Sequence, residues 1–119
     1  MIKISMPRLF AGIALMLLTV SAIAAPFKQQ GLLGSWCFHT LEYADGNESN
    51  EKATYTFAAN GQVTLQESSY ETRSAYRLKD NRLKMDKLGR LMVRQLTSNE
   101  LVLQKPNVAT MYLNRGACR

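Results

Sequence analysis

The sequence has few of the residues that perform catalysis or bind metals. It contains one histidine, His39, and two cysteines, Cys37 and Cys118, which are far apart in the chain. The G-x-S-x-G and H-E-x-x-H motifs, a P-loop, a catalytic carboxylate pair and a C-x-x-C sequence are all absent. Because a lone histidine without a nucleophile or further ligands does not form an active site, we expect no enzymatic activity, catalytic residue, metal site or cofactor.

Long hydrophobic runs are also missing, except at the N-terminus. Lys3 and Arg8 precede an apolar run over residues 9–20. A small-residue A-x-A sequence follows the run and ends at Ala24. This run suits the core of a secretory signal peptide and is shorter than the ~20 residues of a transmembrane helix. We therefore predict a bacterial Sec-type signal peptide over residues 1–24 and a periplasmic or secreted protein without a transmembrane segment after cleavage. An uncleaved membrane anchor is the alternative interpretation.

The part that remains after cleavage, residues 25–119, is the size of one small domain. Such a domain buries only about 60–65% of its unfolded surface, so a covalent link would stabilise it substantially. An exported protein with two cysteines normally pairs them, which predicts a Cys37–Cys118 disulfide. Loop closure over this separation contributes at most about 4.5 kcal/mol in the chain-entropy model.

Charge is distributed unevenly along the chain. The formal net charge is +6, and loss of Lys3 and Arg8 with the signal peptide lowers it to +4. Residues 25–72 carry a net charge of −4, whereas residues 73–119 carry +8. Such asymmetry is typical of a protein that meets an acidic partner.

Short runs rich in β-branched, aromatic and aliphatic residues alternate with turn residues every 8–12 positions. After a lead-in over residues 27–33 that includes one helical turn, this pattern predicts eight strands with short connections. The predicted strands span residues 35–43, 53–59, 62–67, 71–79, 82–86, 89–97, 100–105 and 108–115. We therefore predict an all-β fold, an antiparallel up-and-down barrel of about eight strands. An amphipathic helix over residues 87–96 is the alternative for the sixth strand.

Two details of the strands can be predicted from the sequence. Asn60-Gly61 is a strong hairpin signal, because both central residues of a type I′ turn need positive φ. Alternation along the first strand predicts that Trp36, Phe38 and Thr40 share one face, which leaves His39 on the other.

The two ends of the strand series carry a family resemblance. Gly34-Ser35-Trp36 opens the first strand and Arg115 closes the last, and residues 55–61 and 76–83 add similar turn-flanked segments. Together they resemble the small bacterial lipocalin-like (calycin-type) β-barrel domains over most of residues 32–119. In that family the tryptophan plugs the barrel base and a late arginine packs across it. The resemblance therefore implies that Trp36 and Arg115 pack together at the barrel base, although Trp36 as an ordinary core aromatic is an alternative.

Basic residues are concentrated on one predicted hairpin. Most of them share the polar parity of its two strands, so their side chains are expected to point outward. The candidate basic patch comprises Arg73, Arg77, Lys79, Arg82 and Lys84. Its partners would be lipid headgroups or an acidic protein surface, and an ordinary solvated face is the alternative. A nucleic acid partner is not expected outside the cytoplasm.

These features predict an exported binding module that holds a small apolar ligand in a lipocalin-like barrel, where Met85, Leu103 and Met111 would line the cavity. The alternative is a protein-binding module, such as an inhibitor of a periplasmic or secreted hydrolase. The bacterial inhibitors of secreted metalloproteases are lipocalin-like and begin with a similar G-x-W strand. An open interior would favour the small ligand, whereas a packed interior would favour the protein partner.

The signal peptide generates the first testable prediction. Protein recovered from a bacterial periplasm should begin at Ala25, as measured by intact mass and N-terminal sequencing, because signal peptidase cleaves after small residues. Replacement of Ala22 and Ala24 by leucine should leave the uncleaved precursor in the membrane fraction. A wild-type chain that keeps residues 1–24 in that fraction would contradict cleavage and support the anchor.

Overall fold

The chain forms a closed β-barrel in the computed structural model, which describes residues 25–119. The predicted signal peptide lies outside the described residues. Eight antiparallel strands pair in chain order, and the last pairs with the first. They are β1 (Gly34–Tyr43), β2 (Glu48–Phe57), β3 (Gln62–Glu67), β4 (Tyr70–Lys79), β5 (Arg82–Met85), β6 (Gly89–Leu96), β7 (Glu100–Lys105) and β8 (Ala109–Arg115). The predicted all-β, eight-stranded barrel is confirmed. None of the helices in the described part of the chain has the length and apolar character to cross a membrane.

Strand β2 begins earlier than the sequence predicts. The polar composition of residues 44–51 predicts a loop. In the structure, pairing with β1 already starts at Glu48, which lies opposite Glu42. The connection needs only a tight turn, in which the Asp45 carboxylate accepts a hydrogen bond from the Asn47 backbone N–H at 2.9 Å. Polar side chains do not prevent pairing here because the backbone ladder supplies the hydrogen bonds.

A β-bulge in β1 corrects the predicted inner face of that strand. The register shifts between Phe38 and Thr40, so that Thr40 lies opposite Tyr112 and Leu41 opposite Met111. The extra residue, His39, reverses the alternation that follows it. Leu41 therefore packs against the core, and the prediction that Thr40 shares the face of Trp36 and Phe38 is wrong.

The predicted sixth strand is confirmed, and the alternative of a helix over residues 87–96 is wrong, because β6 pairs with both β5 and β7. A second bulge lies in β6 between Val93 and Gln95. At Asn60-Gly61 a hairpin turn does form, but only Gly61 has positive φ, at 83°. Positive φ at both central residues, as in a type I′ turn, occurs instead at Asp80 (53°) and Asn81 (63°), between β4 and β5.

Apolar side chains fill the barrel interior. Trp36, Leu83 and Leu103 are fully buried, as are residues from most of the other strands. A series of aromatic contacts crosses β1, β2 and β4, with ring centroids separated by 6.5 Å, 6.4 Å and 5.0 Å along Phe38, Tyr55, Phe57 and Tyr76. Burial, and then the nearby carboxylates of Glu67 and Glu51, raise the pKa of Tyr55 to about 12, so its hydroxyl stays neutral in the core.

The lead-in segment closes one end of the barrel. It contains a 3₁₀ turn, Gln29–Leu32, whose Leu32 side chain is fully buried. Trp36 Nε1 donates a 2.8 Å hydrogen bond to the Leu32 carbonyl oxygen. The Leu78 backbone N–H donates to Gln29 Oε1 at 3.2 Å, which ties the segment to the end of β4. Residues before β1 therefore belong to the core at this end, which we call the base.

Arg115 covers the outer side of the base. Its guanidinium carbon lies 3.8 Å from the centroid of the Trp36 ring, and its nitrogens donate to the carbonyl oxygens of Leu33, Gly31 and Ser98. Gly34 has a φ of 109°, and a Cβ there would lie 3.2 Å from Arg115 Nη1. The glycine of the G-x-W sequence thus allows the positive φ at this position and leaves room for the Arg115 guanidinium beside it.

The disulfide joins the same region to the C-terminal tail. Cys37 and Cys118 are bonded, with their Cα atoms 4.7 Å apart and a sequence separation of 81, which confirms the predicted pairing. The Cys118 backbone N–H also donates to Thr54 Oγ1 on β2 at 3.0 Å. The tail therefore crosses from β8 over β1 to β2 and links three neighbouring strands at the closure of the barrel.

The contacts of Arg115 predict a measurable loss of stability when it is replaced. Arg115→Ala should lower the free energy of unfolding by about 1–2 kcal/mol, because it removes a cation–π contact and charged hydrogen bonds to three carbonyl groups. Urea unfolding followed by the fluorescence of Trp36 measures the change. Arg119→Ala, which removes one charge from the exposed terminus, is the control and should change the value by less than about 0.5 kcal/mol. Equal effects of the two substitutions would show that Arg115 contributes only its charge.

Candidate functional site

Five cationic side chains form an ordered array on the outer face of β4, β5 and β6. The register places Arg77 opposite Lys84, and Lys84 opposite Arg90, so these three form one row across the strands. Lys79 lies opposite Arg82 in the next row, where Met92 takes the third position. Neighbouring strands are about 4.8 Å apart, and same-face residues within a strand are about 7 Å apart. We call this array the cationic grid, and it consists of Arg77, Lys79, Arg82, Lys84 and Arg90.

The grid lines a groove rather than a flat face. The groove has a volume of about 600 Å³. Asp80 is the one acidic residue that lines it, and apolar atoms come from Leu83, Leu91, Met92 and Pro106. A smaller neighbouring pocket of about 280 Å³ shares Arg77 and Lys84 and extends the surface toward Asp86. Both pockets open on the outside of the barrel wall formed by β4–β6.

The positive charges of the grid are not neutralised within the described part of the chain. The salt bridge found there joins Arg73 to Glu71 at 3.2 Å and involves no member of the grid. Like charges directly opposite each other on neighbouring strands destabilise a sheet. The arrangement of Arg77, Lys84 and Arg90 in a single row therefore costs stability, and no contact within residues 25–119 explains it.

The structure brings together four of the five residues of the predicted basic patch. Arg73 lies on the same outer face of β4, but it pairs with Glu71 and does not line the groove. Arg90 was not predicted to belong to the site, because its position depends on the pairing of β5 with β6. The short connection at residues 86–88 is the sequence signal that could have placed Arg90 opposite Lys84.

His39 and the hydrogen-bonded pair of Tyr112 and Glu42 lie away from the grid. His39 occupies the bulge of β1, where its Nδ1 and Thr40 Oγ1 are 2.8 Å apart. Tyr112 donates a 2.8 Å hydrogen bond from its hydroxyl to Glu42 Oε1, which raises the pKa of Tyr112. Across residues 25–119 there is no group of three or more histidine, cysteine or acidic side chains arranged to hold a metal ion.

Comparison with solved structures supports the assignment of the barrel. A lipocalin-like protein from Bacteroides uniformis matches with a TM-score of 0.57 and 20% sequence identity, over 69% of this chain and 96% of that one. The fold is lipocalin-like. An uncharacterized protein from Bacteroides eggerthii matches with a TM-score of 0.63 and 14% identity, over 71% of this chain and 99% of its own.

A third structure extends the comparison over more of the chain. A protein from Burkholderia xenovorans, determined by NMR, matches with a TM-score of 0.60 and 18% identity, over 81% of this chain and 93% of that one. No family model matches the sequence. No curated protein matches it either. At these identities the similarity establishes the lipocalin-like fold alone, so function has to be argued from the residues of this barrel.

The unbalanced charge of the grid predicts that one neutral substitution will stabilise the protein. Lys84→Gln should raise the free energy of unfolding by about 0.5–1 kcal/mol at low salt, because Lys84 lies between Arg77 and Arg90 in the row. The gain should shrink as salt is added. Lys52→Gln, on the outer face of β2, is the matched control and should give no comparable gain. Thermal unfolding at two ionic strengths measures both, and a loss of stability in Lys84→Gln would contradict the proposed repulsion.

Proposed function

We propose that the protein is an exported binding module that recognises another protein with its outer surface. A lipocalin-like fold is typically used for binding, which fits a chain without recognisable catalytic motifs. The observation that carries the proposal is the filled interior. Met85 and Leu103, two of the residues expected to line a ligand cavity, are 2% and 0% exposed and belong to the core cluster.

The same packing argues against a small apolar ligand inside the barrel. Met111, the third residue expected in such a cavity, packs against the core from its edge. Protein interiors are packed about as densely as organic crystals, so a ligand of several hundred Å³ would have to displace side chains that already contact each other. A groove of about 600 Å³ lies instead on the outside of residues 25–119, along the cationic grid.

The character of the outer groove supports a protein partner of opposite charge. Five cations with one acidic residue give the groove a strongly positive potential, and its apolar border supplies contact area. Electrostatic complementarity of this kind accelerates association and selects partners. An exported hydrolase held by such a surface would make the protein an inhibitor, which is the specific form of the proposal suggested by the family resemblance.

Photo-crosslinking in cells tests this function directly. A photoreactive residue is placed in turn at outward positions around the barrel, Thr56, Gln66, Ala75 and Gln95. At least one position should yield a covalent adduct with another protein, detected by mass spectrometry. Native mass spectrometry of the gently purified protein should show the polypeptide mass alone, and a lipid panel should not change its Tm. Absence of a protein adduct at all four positions would overturn the proposal, and a bound lipid mass would favour the small-ligand function.

A further inference from the structure

We infer that the cationic grid binds an extended acidic segment of the partner protein, whose carboxylates lie on alternate residues. The inference rests on the proposed function, because it specifies which surface is used and which chemistry the partner presents. It starts from the regular spacing of the grid rather than from its total charge.

The two rows of the grid match the repeat of an extended polypeptide. Arg77 and Lys79 are two residues apart on β4, as are Lys84 and Arg82 on β5, so the rows are separated by about 7 Å. Alternate side chains of an extended segment point to the same side with the same spacing. A segment lying along β5 would therefore place one carboxylate over each row, with the residue between them facing away from the sheet.

The number and type of donors suit carboxylates. Three of the five grid residues are arginines, whose planar forks bind carboxylates through two parallel hydrogen bonds. An ionised carboxylate accepts at about four lone-pair sites, so it can be shared by two or three cations of one row. Asp80, at the turn that ends the groove, repels a further acidic residue there and limits the segment to the two rows.

The shape of the site favours a polypeptide over a bilayer. The cations line a groove with Leu91, Met92 and Pro106 at its border, whereas a membrane presents a broad surface. Aromatic side chains that prefer the interface of a bilayer would be expected around a lipid-binding surface. The exposed Tyr43 and Tyr70 lie on β1 and at the start of β4, and neither lines the groove. An extended acidic segment would pair its carboxylates with the cations and contact the apolar side chains at the border of the groove.

Two fluorescent peptides of equal composition test the inference. One alternates glutamate with threonine over three repeats, and the other places the three glutamates together before the three threonines. Fluorescence anisotropy with the mature protein at low salt should show about fivefold tighter binding of the alternating peptide, because adjacent carboxylates cannot all face the grid at once. Addition of salt should weaken binding of both peptides.

Paired variants locate the binding surface. Arg82→Gln/Lys84→Gln should weaken binding of the alternating peptide about tenfold or more, since it removes donors from both rows. Lys52→Gln/Arg119→Gln removes the same charge from β2 and the C-terminus and should change the affinity less than about twofold. Circular dichroism and Tm check that each variant is folded. Because Lys84→Gln is predicted to stabilise the protein, a loss of binding would not be explained by unfolding.

The outcomes separate this inference from the proposed function. Equal affinities for the two peptides, or equal losses in the two double variants, would overturn the inference. Binding to vesicles containing phosphatidylglycerol without binding to either peptide would also overturn it and assign the grid to lipid headgroups. If protein adducts form in the photo-crosslinking experiment while the peptides fail, the proposed function stands and only the grid is excluded as its site.

Discussion

Pairing of β1 with β8 closes the barrel, the rest of the structure depends on that closure, and Trp36 contacts Arg115 where the two strands meet. These residues lie opposite each other on the first and last strands, where β1 pairs with β8. The Cys37–Cys118 disulfide lies one residue from the tryptophan and fastens the C-terminal tail across the same strands. A small closed sheet has no free edge, so its residues divide strictly between an inner and an outer face.

Closure at this size leaves little room inside. Residues 25–119 have to bury enough apolar surface to offset the entropy of folding, and a large cavity would remove part of that burial. The aromatic side chains of β1, β2 and β4 and the leucines of β5, β7 and β8 occupy the interior. The proposed function therefore uses the outer face. There Arg77, Lys84 and Arg90 lie in one row, an arrangement of like charges that lowers stability and is expected where a surface serves binding.

Much of this architecture was predictable, because its determinants are local in the sequence. Alternation and turn residues locate most strands, and an even cysteine count in an exported chain predicts the disulfide. What could not be predicted depends on partners distant in sequence. The bulge at His39 depends on the register of β1 with β8, in which Phe38 and Thr40 lie opposite consecutive residues, and it reverses the faces of Thr40 and Leu41. The place of Arg90 in the grid likewise required the β5–β6 register, which hydrophobic periodicity does not reveal.

We propose that this lipocalin-like barrel binds with its outer wall while its interior stays filled. Backbone amide chemical shifts of the protein, recorded by NMR during titration with the alternating acidic peptide, test this most directly. We expect shifts that are concentrated in residues 77–92 of β4, β5 and β6, with the signals of Trp36, Tyr55 and Leu103 unchanged. Shifts centred on those interior residues, or spread evenly around the barrel, would contradict it.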